Sequence, residues 1–557
     1  MEIEYCNNPQ KLDEMEASRT IHLAKPNTLA ELFPEDERRS VVSLKITGFL
    51  GRKDFDDVLD EMCTVWGDYD DDDNWSSDYG EAYPLKQLDL GEATYVDGVD
   101  LPYFGLHTQL ETFIMPQGID RMLDGDENES GLSDTPKLRN LVLSDGVRTV
   151  GGCQNCPNLS GLILPESVEE IESFAFCGCK SINKIRIPQS VRCLDGSCFA
   201  NCGISGYEVA PENPNFTVVD GVVYSKDLKT LVAYPSALPR KHFVVPSTTK
   251  FIGWGAFMDS KIESIEFPEG LLSIGGWSFQ GSSLKKVEIP DTVAVIGELA
   301  FRFCKDLQEV RLSNGLESLP EQLFSSCSSL KVLDIPSSVK VVDYSCFIWS
   351  ENLERIILHD GLEVIDTIPW PLIGEGKLKE VRLPKTLRQV PGGVFNYSPY
   401  IKEFHIDPDN PFYSVIDGSL YSKDGKTLVS VPDFHRTEFV VPEGVEALAK
   451  GSLYGYPYLS MIELPSTLRE IGERALSSNP ELKTIRIPEN VKMVHLDALW
   501  NDNLHTVFID CQIPPRVTGY IKEADWRFKN IKLLVPKHAL QAYQNAKGWN
   551  AFILKEQ

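Results

Sequence analysis

One short phrase recurs along this chain at a nearly constant spacing, and it constrains the fold more than any other feature. The phrase is an apolar residue, two variable residues, two apolar residues placed two apart, and a proline. It occurs at residues 182–188, 284–290 and 330–336, and Pro268 precedes Pro290 by 22 residues. Self-similarity at a fixed period in this range is the signature of a stacked-repeat solenoid. We therefore predict that most of the chain is one long repeat array.

The spacing inside the phrase predicts a short strand with one buried face, because side chains two apart on a strand share a face. The proline ends the strand, since it cannot donate a hydrogen bond to a neighbouring strand. A second phrase, Val-x-x-Ile followed by Ala-Phe as in residues 293–301, supplies the opposite wall of the same coil. One coil cannot bury both walls alone, so neighbouring coils must stack. The expected fold is a repeat solenoid, mostly β, with short helical or irregular turns.

Composition excludes some partners. The 557 residues carry 54 basic and 82 acidic side chains, for a formal net charge of −28. This charge argues against nucleic acid or an anionic membrane as the partner. No apolar run approaches the roughly 20 residues that a membrane-spanning helix needs. The first residues also lack the basic end and apolar core of a signal peptide.

Cysteine positions follow the repeat. Cys156, Cys179 and Cys202 are each 23 residues apart and occupy one repeat position, where another coil carries Ser260. Small residues stacked on their own kind predict a ladder of packed thiols, in which Cys acts as a small hydrophobe. Half of a zinc site at residues 153–156, or a disulfide, is the alternative, but no matching second cysteine pair follows.

The array has distinct ends. Residues 1–40 are polar and weakly patterned, whereas residues 41–100 combine a strand, an amphipathic helix, an acidic loop and a repeat-like strand. These features predict an amino-terminal cap, because an end coil needs a cover. The solenoid then occupies residues 101–515. A strand and a helix in residues 516–557 predict a carboxy-terminal cap.

Two nearly identical segments, at about 211–235 and 408–432, interrupt the array. In each, two apolar runs meet at a Ser-Lys-Asp turn, which predicts an inserted β-hairpin.

The acidic loop imitates part of a calcium site. Asp68, Asp70 and Asp72 match the first ligands of a calcium-binding loop, but Asp73 replaces its glycine and Tyr79 its closing glutamate. A solvated loop is the favoured interpretation. We therefore expect no metal and no cofactor.

Outward charges on the predicted strands are the first candidate binding residues. Arg186, Glu288, Arg311 and Arg382 occupy outward positions next to the buried apolar residues. Alternating signs on adjacent strands stabilise a sheet as cross-strand neighbours, so a charge ladder is one interpretation. A polar ligand-binding face, which solenoids commonly offer, is the other.

Tyrosines are the second candidate. Tyr397, Tyr400, Tyr456 and Tyr458 fall in equivalent turns on either side of the second duplicated segment. Clustered tyrosines can form a platform for a glycan or a hot spot for a protein. Ordinary packing within the turns is the alternative interpretation.

No catalytic motif is present. The sequence has no phosphate-binding Gly-rich loop, no Gly-x-Gly-x-x-Gly and no His-Glu-x-x-His. Its nine histidines are scattered, so we expect a non-catalytic protein.

The complete repeat resembles a known family. Residues 289–307 read Ile-Pro-x-x-Val-x-x-Ile-Gly-x-x-Ala-Phe-x-x-Cys-x-x-Leu, which is similar to the BspA-like, bacterial surface-antigen type of leucine-rich repeat protein. The resemblance covers roughly residues 41–557. It implies a right-handed leucine-rich repeat array with α/β caps and two inserted β-hairpins. It also implies a secreted or cell-surface protein of a host-associated bacterium that takes part in adhesion or protein binding.

The expected function is non-catalytic binding of a protein or glycan, in adhesion or in contact with a host or its matrix. A self-assembling scaffold without a dedicated ligand is the alternative. We expect a monomer with no nucleic-acid partner and no membrane-spanning segment.

Overall fold

The computed structural model describes residues 18–63, 83–102, 109–123, 131–343, 345–366, 377–396, 398–519 and 528–557. The acidic loop with its possible calcium site, and Tyr397, lie outside these residues. The chain is a β-solenoid of stacked parallel strands with few helices, which confirms the predicted fold class. It comprises two compact units. The first contains Met1–Lys241, Thr248–Ile262 and Gly275–Ser282, and the second contains His242–Ser247, Glu263–Ile274 and Ser283–Gln557.

The first unit is built on a six-stranded parallel sheet. Its strands follow chain order: Ser18–Leu23, Ser43–Leu50, Gln87–Tyr95, Thr112–Ile114, Asn140–Val142 and Gly161–Ile163. A three-stranded parallel sheet comprises Arg121–Met122, Thr149–Val150 and Glu170–Ile171. The remaining strands are Arg186–Ile187 with Glu208–Val209, and then Phe216–Val219, Val222–Ser225, Thr230–Ala233 and Phe251–Ile252.

The second unit repeats this arrangement. The first strands of its coils are His242–Val244, Ser264–Glu266, Lys286–Glu288, Glu309–Arg311, Val332–Asp334, Arg355–Ile357, Arg382–Leu383, His405–Ile406, Glu438–Val440, Met461–Glu463, Thr484–Ile487 and Thr506–Ile509. The second strands are Ser273–Ile274, Val295–Ile296, Ser318–Leu319, Val341–Asp343, Val364–Asp366, Ala447–Leu448, Glu470–Ile471, Met493–His495 and Arg516–Thr518. Further strands are Tyr413–Ile416, Ser419–Ser422, Thr427–Ser430, Lys532–Val535 and Ile553–Glu556.

Helices are short and lie mainly near the two ends of the chain. They are Leu29–Leu32, Glu35–Arg38, the continuous run Arg52–Asp54, Phe55–Leu59 and Asp60–Cys63, whose middle part is a π-helix, and Leu540–Asn545. Short 3-10 helices occur at Gly196–Phe199, Leu496–Leu499 and Trp549–Ala551.

The folded part begins earlier than the boundary at residue 41 that the sequence predicts for the cap. The strand Ser18–Leu23 pairs in parallel with Ser43–Leu50 over its whole length. In the first strand only Ile21 and Leu23 are buried, at the carboxy-terminal end. Two buried residues are too few to produce a visible alternation, which is why these residues read as a polar segment.

Each duplicated segment forms three antiparallel strands. In the first copy, Val219 pairs with Val222 across a turn in which Asp220 and Gly221 both have positive φ, at 51° and 82°. An Asp-Gly pair with this geometry is a favoured hairpin turn, because its twist matches that of the strands. The Ser-Lys-Asp turn singled out in the sequence joins Val222–Ser225 to Thr230–Ala233, which also pair antiparallel, so the segment has two hairpin turns.

The repeat cysteines make a specific hydrogen bond. The thiols of Cys179, Cys202 and Cys327 donate to a backbone carbonyl of the preceding coil at 3.1–3.2 Å. At the same position, the Ser350 hydroxyl donates to Phe324 O at 2.7 Å. In these four coils the position holds a small hydrogen-bond donor, whereas the Ser260 hydroxyl at the same position has no hydrogen-bond partner among the described residues. The description of Cys as only a small hydrophobe was incomplete.

We expect Cys327→Ser to change the free energy of unfolding by less than about 1 kcal/mol, because a hydroxyl keeps the bond to Phe301 O. Cys327→Val removes the donor and adds volume in a buried position, so it should cost about 1–3 kcal/mol. Urea denaturation of both variants measures the difference. Equal stability of the serine and valine variants would contradict the role of the hydrogen bond.

Candidate binding surface

The first strands of the second unit project charged side chains on one side. In Lys286–Glu288 and Glu309–Arg311, the middle residue points inward and the flanking residues are exposed. The two strands pair in parallel with Lys286 opposite Glu309 and Glu288 opposite Arg311. Outward side chains of successive strands therefore form rows about 4.8 Å apart. We call the outward side of the strands from His242–Val244 to Arg355–Ile357 the strand face.

Two recesses lie on the strand face. The first has a volume of about 570 Å³ and is lined by residues that include His242, Glu266, Lys286 and Glu288. The second has a volume of about 460 Å³ and is lined by residues that include Asn314, Asp334 and His359. Arg311 lines both recesses. Its guanidinium is therefore the shared element of the site.

Arg311 is fixed by three acceptor oxygens. Its guanidinium donates to Ile289 O at 3.1 Å and to the two carboxylate oxygens of Asp291 at 3.0 and 3.1 Å. Asn314 donates its backbone and side-chain N–H groups to the same carboxylate, both at 3.1 Å. The Asn314 hydrogen bonds and then the Arg311 charge hold the pKa of Asp291 below its usual value. Arg311 is thus positioned before any ligand arrives, although half of its side chain is exposed.

Lys286 and Glu288 form a second ionic group. The Lys286 ammonium lies 3.0 Å from Glu288 and 3.2 Å from Glu309. These carboxylates, Glu288 first, raise the pKa of Lys286. Glu288 therefore pairs along its own strand, and Arg311 pairs with Asp291. Glu288 lies opposite Arg311 on the adjacent strand, so opposite charges are cross-strand neighbours there, but each of the two side chains forms its ion pair with a different residue.

Histidines stand at both ends of the two recesses. His242 Nδ1 lies 2.9 Å from Ser264 Oγ, and its Nε2 lies 3.3 Å from Glu266. His359 Nε2 lies 2.7 Å from Asp334. Sequence reasoning missed both residues because scattered histidines gave no pattern. Only their positions in the repeat could have indicated them, because His242 is the first residue of a strand and His359 lies just after the end of one.

Negative charge predominates on this part of the strand face. The recesses and the groups bonded to them carry six carboxylates but only two permanent cations, Lys286 and Arg311. The carboxylates belong to Glu266, Glu269, Glu288, Asp291, Glu309 and Asp334. A concave acidic surface with one central cation attracts a partner that carries basic groups.

The other two predicted arginines lie elsewhere. Arg186 belongs to the first unit and donates to Glu166 at 2.5 Å. Arg382 belongs to the second unit and donates to Glu380 at 2.6 Å. Both are exposed, and neither is among the residues that line the two recesses. The structure does not bring either arginine together with Arg311.

The predicted tyrosine platform is wrong for one of its members. Tyr456 is 1% exposed, and its hydroxyl donates to Val431 O. Its ring packs against Phe434, with the ring centres 5.5 Å apart. Burial raises its pKa well above the usual value. Tyr456 therefore fills space beneath the turn that follows the duplicated segment, where sequence periodicity gave no indication of a cavity.

Tyr400 and Tyr458 are exposed, at 52% and 53%. The ring of His435 lies 5.5 Å from that of Tyr458, centre to centre. Tyr400 and Tyr458 are therefore the members of the predicted platform that are exposed among the described residues, and their role in binding stays a prediction.

The described part of the chain contains neither a metal site nor a membrane-spanning helix. No group of three or more His, Cys, Asp or Glu side chains there is placed to bind a metal ion. Cys153 and Cys156, considered as half of a zinc site, have sulfur atoms 3.8 Å apart and are both buried. Within the same residues, no helix has the length and apolar character needed to cross a membrane.

Comparisons with known proteins identify the repeat. A family described as BspA type leucine rich repeat region, in six copies, matches residues 130–227, 236–354 and 434–518, which is more than half of the chain. Comparison with curated proteins gave no match.

Several solved structures of leucine-rich repeat proteins are similar to this chain at low sequence identity. A leucine-rich repeat protein from Eubacterium ventriosum is 20% identical, with 59% of this chain and 82% of that chain covered and a TM-score of 0.43. A leucine rich cell surface protein from Faecalibacterium prausnitzii is 19% identical, with 62% and 96% covered and a TM-score of 0.43. A leucine-rich repeat protein from Bacteroides ovatus is 20% identical, with 74% and 88% covered and a TM-score of 0.34.

Proposed function

The chain belongs to the BspA type of leucine-rich repeat proteins, and from that membership we propose that it binds a polypeptide ligand on the strand face of its second unit. Leucine-rich repeat proteins are generally non-catalytic and bind other proteins. The proposal extends this general role to a non-catalytic adhesion protein that acts on a bacterial surface or after secretion. Its ligand would be a protein of the host or of the host matrix.

The observation that carries the proposal is the fixed position of Arg311 between two recesses. A side chain that is already held by Asp291 and Ile289 O loses little conformational freedom on binding. Arginines of this kind are frequent hot spots in protein interfaces. The flanking recesses are large enough to take side chains of a ligand, and their carboxylates favour lysine or arginine.

Charge reversal tests this proposal. The full chain, immobilised on a sensor surface, is exposed to a panel of purified extracellular-matrix proteins. We expect at least one of them to bind, and Arg311→Glu to weaken that binding by at least about tenfold, because a carboxylate cannot donate the hydrogen bonds of the guanidinium to the ligand and is repelled by Asp291. Circular dichroism and the melting temperature establish that the variant is folded.

A matched control is available in the same unit. Arg469 is exposed and pairs with Glu446 at 3.5 Å, but it precedes a second strand and lies outside the strand face. Arg469→Glu should change binding by less than about twofold, as expected for an exposed pair outside the interface. Equal losses for both variants, or no binding by any matrix protein, would contradict the proposal. A molar mass that rises with concentration in light scattering would favour the self-assembling scaffold instead.

A further inference from the structure

Three aromatic side chains form a surface cluster in the first unit. The ring centres of Phe174 and Trp277 are 5.4 Å apart, with the rings nearly perpendicular. Trp254 lies 6.1 Å from Trp277 and is 38% exposed, and the other two rings are half-buried. We call these three residues the aromatic cluster. Sequence reasoning did not find it, because its members are far apart along the chain.

The backbone at two of these residues adopts an unfavourable conformation. Phe174 and Trp277 have φ angles of +63° and +58°. Positive φ is unfavourable for any residue with a Cβ atom and is a genuine outlier for a bulky one. At the same turn position, two residues before the buried aromatic or leucine, other coils place Gly255, Gly393 and Gly451, or non-glycine residues that also have positive φ, namely Leu299, Gln322 and Arg474. Positive φ is therefore a property of this turn in the repeat, and Phe174 and Trp277 place aromatic rings at it.

Small residues allow the two rings to meet. Between Phe174 and Trp277 the stack contains Ser197 and Gly255. Ser197 Oγ accepts a hydrogen bond from Phe174 N at 3.1 Å. A Cβ atom on Gly255 would lie only 2.7 Å from Ser197 N, so no larger residue fits there. The gap left by these two residues lets rings from non-adjacent coils come into contact.

A carboxylate lies at the rim of the aromatic cluster. Asp195 Oδ2 accepts a hydrogen bond from Ser173 Oγ at 2.5 Å, and its Oδ1 accepts from Ser197 N at 2.8 Å and from Ser197 Oγ at 2.5 Å. Ser173 adjoins Phe174 in the chain, and Gly196 N donates to Trp254 O at 3.0 Å. Asp195 is therefore held beside two members of the cluster. The carboxylate is half-buried, and its Oδ2 oxygen, which accepts one hydrogen bond, has a second lone pair that can accept from a ligand hydroxyl group.

We propose that the aromatic cluster and Asp195 bind a sugar ring of a saccharide. The C–H face of a pyranose packs flat against exposed aromatic rings, and its hydroxyl groups donate to a carboxylate at the edge. Apolar walls with a few fixed polar groups are the usual composition of a site for a small ligand. The site is separate from the strand face of the second unit and would add carbohydrate recognition to protein binding.

Two other ligand classes fit the observations less well. A quaternary ammonium group needs a gap between aromatic faces, with the cation near each ring. Phe174 and Trp277 touch each other, so they leave no such gap. A proline-rich peptide also packs on aromatic rings, but it offers few hydroxyl donors for Asp195. These observations favour the saccharide.

Binding of the fluorescently labelled full chain to a glycan array tests the proposal. We expect at least one glycan to bind and to quench the intrinsic tryptophan fluorescence when titrated as the free sugar. Trp277→Gly should weaken this binding by at least about tenfold while the protein stays folded, because glycine tolerates positive φ. Trp254→Ala should also weaken glycan binding by several-fold. Trp254 does not have positive φ, so this variant tests the ring without altering backbone strain.

Gln322→Gly is the matched control. Gln322 has a φ of +50° at the equivalent turn position, in a coil of the second unit. Its replacement relieves the same backbone strain without removing an aromatic ring, so glycan binding should stay within about twofold. Absence of binding to any glycan, unchanged binding by Trp277→Gly and Trp254→Ala, or binding of a proline-rich peptide in place of sugars would each overturn the proposal.

Discussion

Phe324→Ala should lower the free energy of unfolding of the second unit by about 3–5 kcal/mol. Phe324 is completely buried and stacks on Phe301 of the preceding coil, with the ring centres 5.6 Å apart and the planes 14° from parallel. Truncation removes the apolar side chain and leaves a cavity that neighbouring coils cannot close, because strand pairing fixes their spacing. The Phe301 ring would lose its stacking partner.

Hydrogen exchange measured by mass spectrometry would follow this loss locally, since it reports the opening free energy of individual segments. Phe303→Ala is the control. Phe303 lies two residues from Phe301 in the same coil but is 38% exposed. Its truncation should cost less than about 1 kcal/mol. If Phe324→Ala and Phe303→Ala lowered the free energy of unfolding equally, burial of the repeat phenylalanine would not explain the loss.

Asn479→Leu should destabilise the second unit by about 2–5 kcal/mol, although the two side chains have similar size. The buried Asn479 amide donates to Leu453 O at 3.0 Å and to Leu476 O at 2.8 Å. Its side-chain oxygen accepts from Tyr456 N at 2.8 Å. Leucine cannot replace any of these bonds, so buried backbone groups of two coils would lose a partner.

Asn503→Ala provides the comparison for Asn479→Leu. The exposed Asn503 amide makes one bond, to Pro480 O at 2.9 Å. Its loss should cost less than about 1 kcal/mol, because water replaces the partner. Urea denaturation of the two variants measures both effects. If Asn479→Leu were as stable as the original protein, the side-chain hydrogen bonds of Asn479 to the neighbouring backbone would contribute little to the free energy of unfolding.

The repeat period made much of the fold predictable. A spacing of two between apolar residues determines which side chains point inward, so Lys286, Glu288 and Arg311 could be placed on the outside from the sequence alone. Where the phrase ends in proline, as at Pro290 and Pro336, that proline marked the end of the strand. These features depend only on neighbouring residues in the chain, and local geometry governs them.

The sites were less predictable because they depend on which coils meet. Periodicity placed Arg311 outward, but not its bonds to Asp291 and Ile289 O, which come from the previous coil. Tyr456 sits in a turn that looks exposed in sequence, and only the space beneath Phe434 explains its burial. The contact between Phe174 and Trp277 depends on small residues in the coils between them. Local patterns do not report such gaps.

Photo-crosslinking tests the central claim, that a polypeptide ligand contacts the strand face of the second unit. A photo-reactive amino acid replaces Glu309, which pairs with Lys286 of the first recess, in one variant and Arg469, off the strand face, in another. Each variant is irradiated with the same mixture of purified extracellular-matrix proteins. We predict a crosslinked product from position 309 and none above background from position 469. Crosslinks from position 469 alone, or from neither position, would contradict the claim.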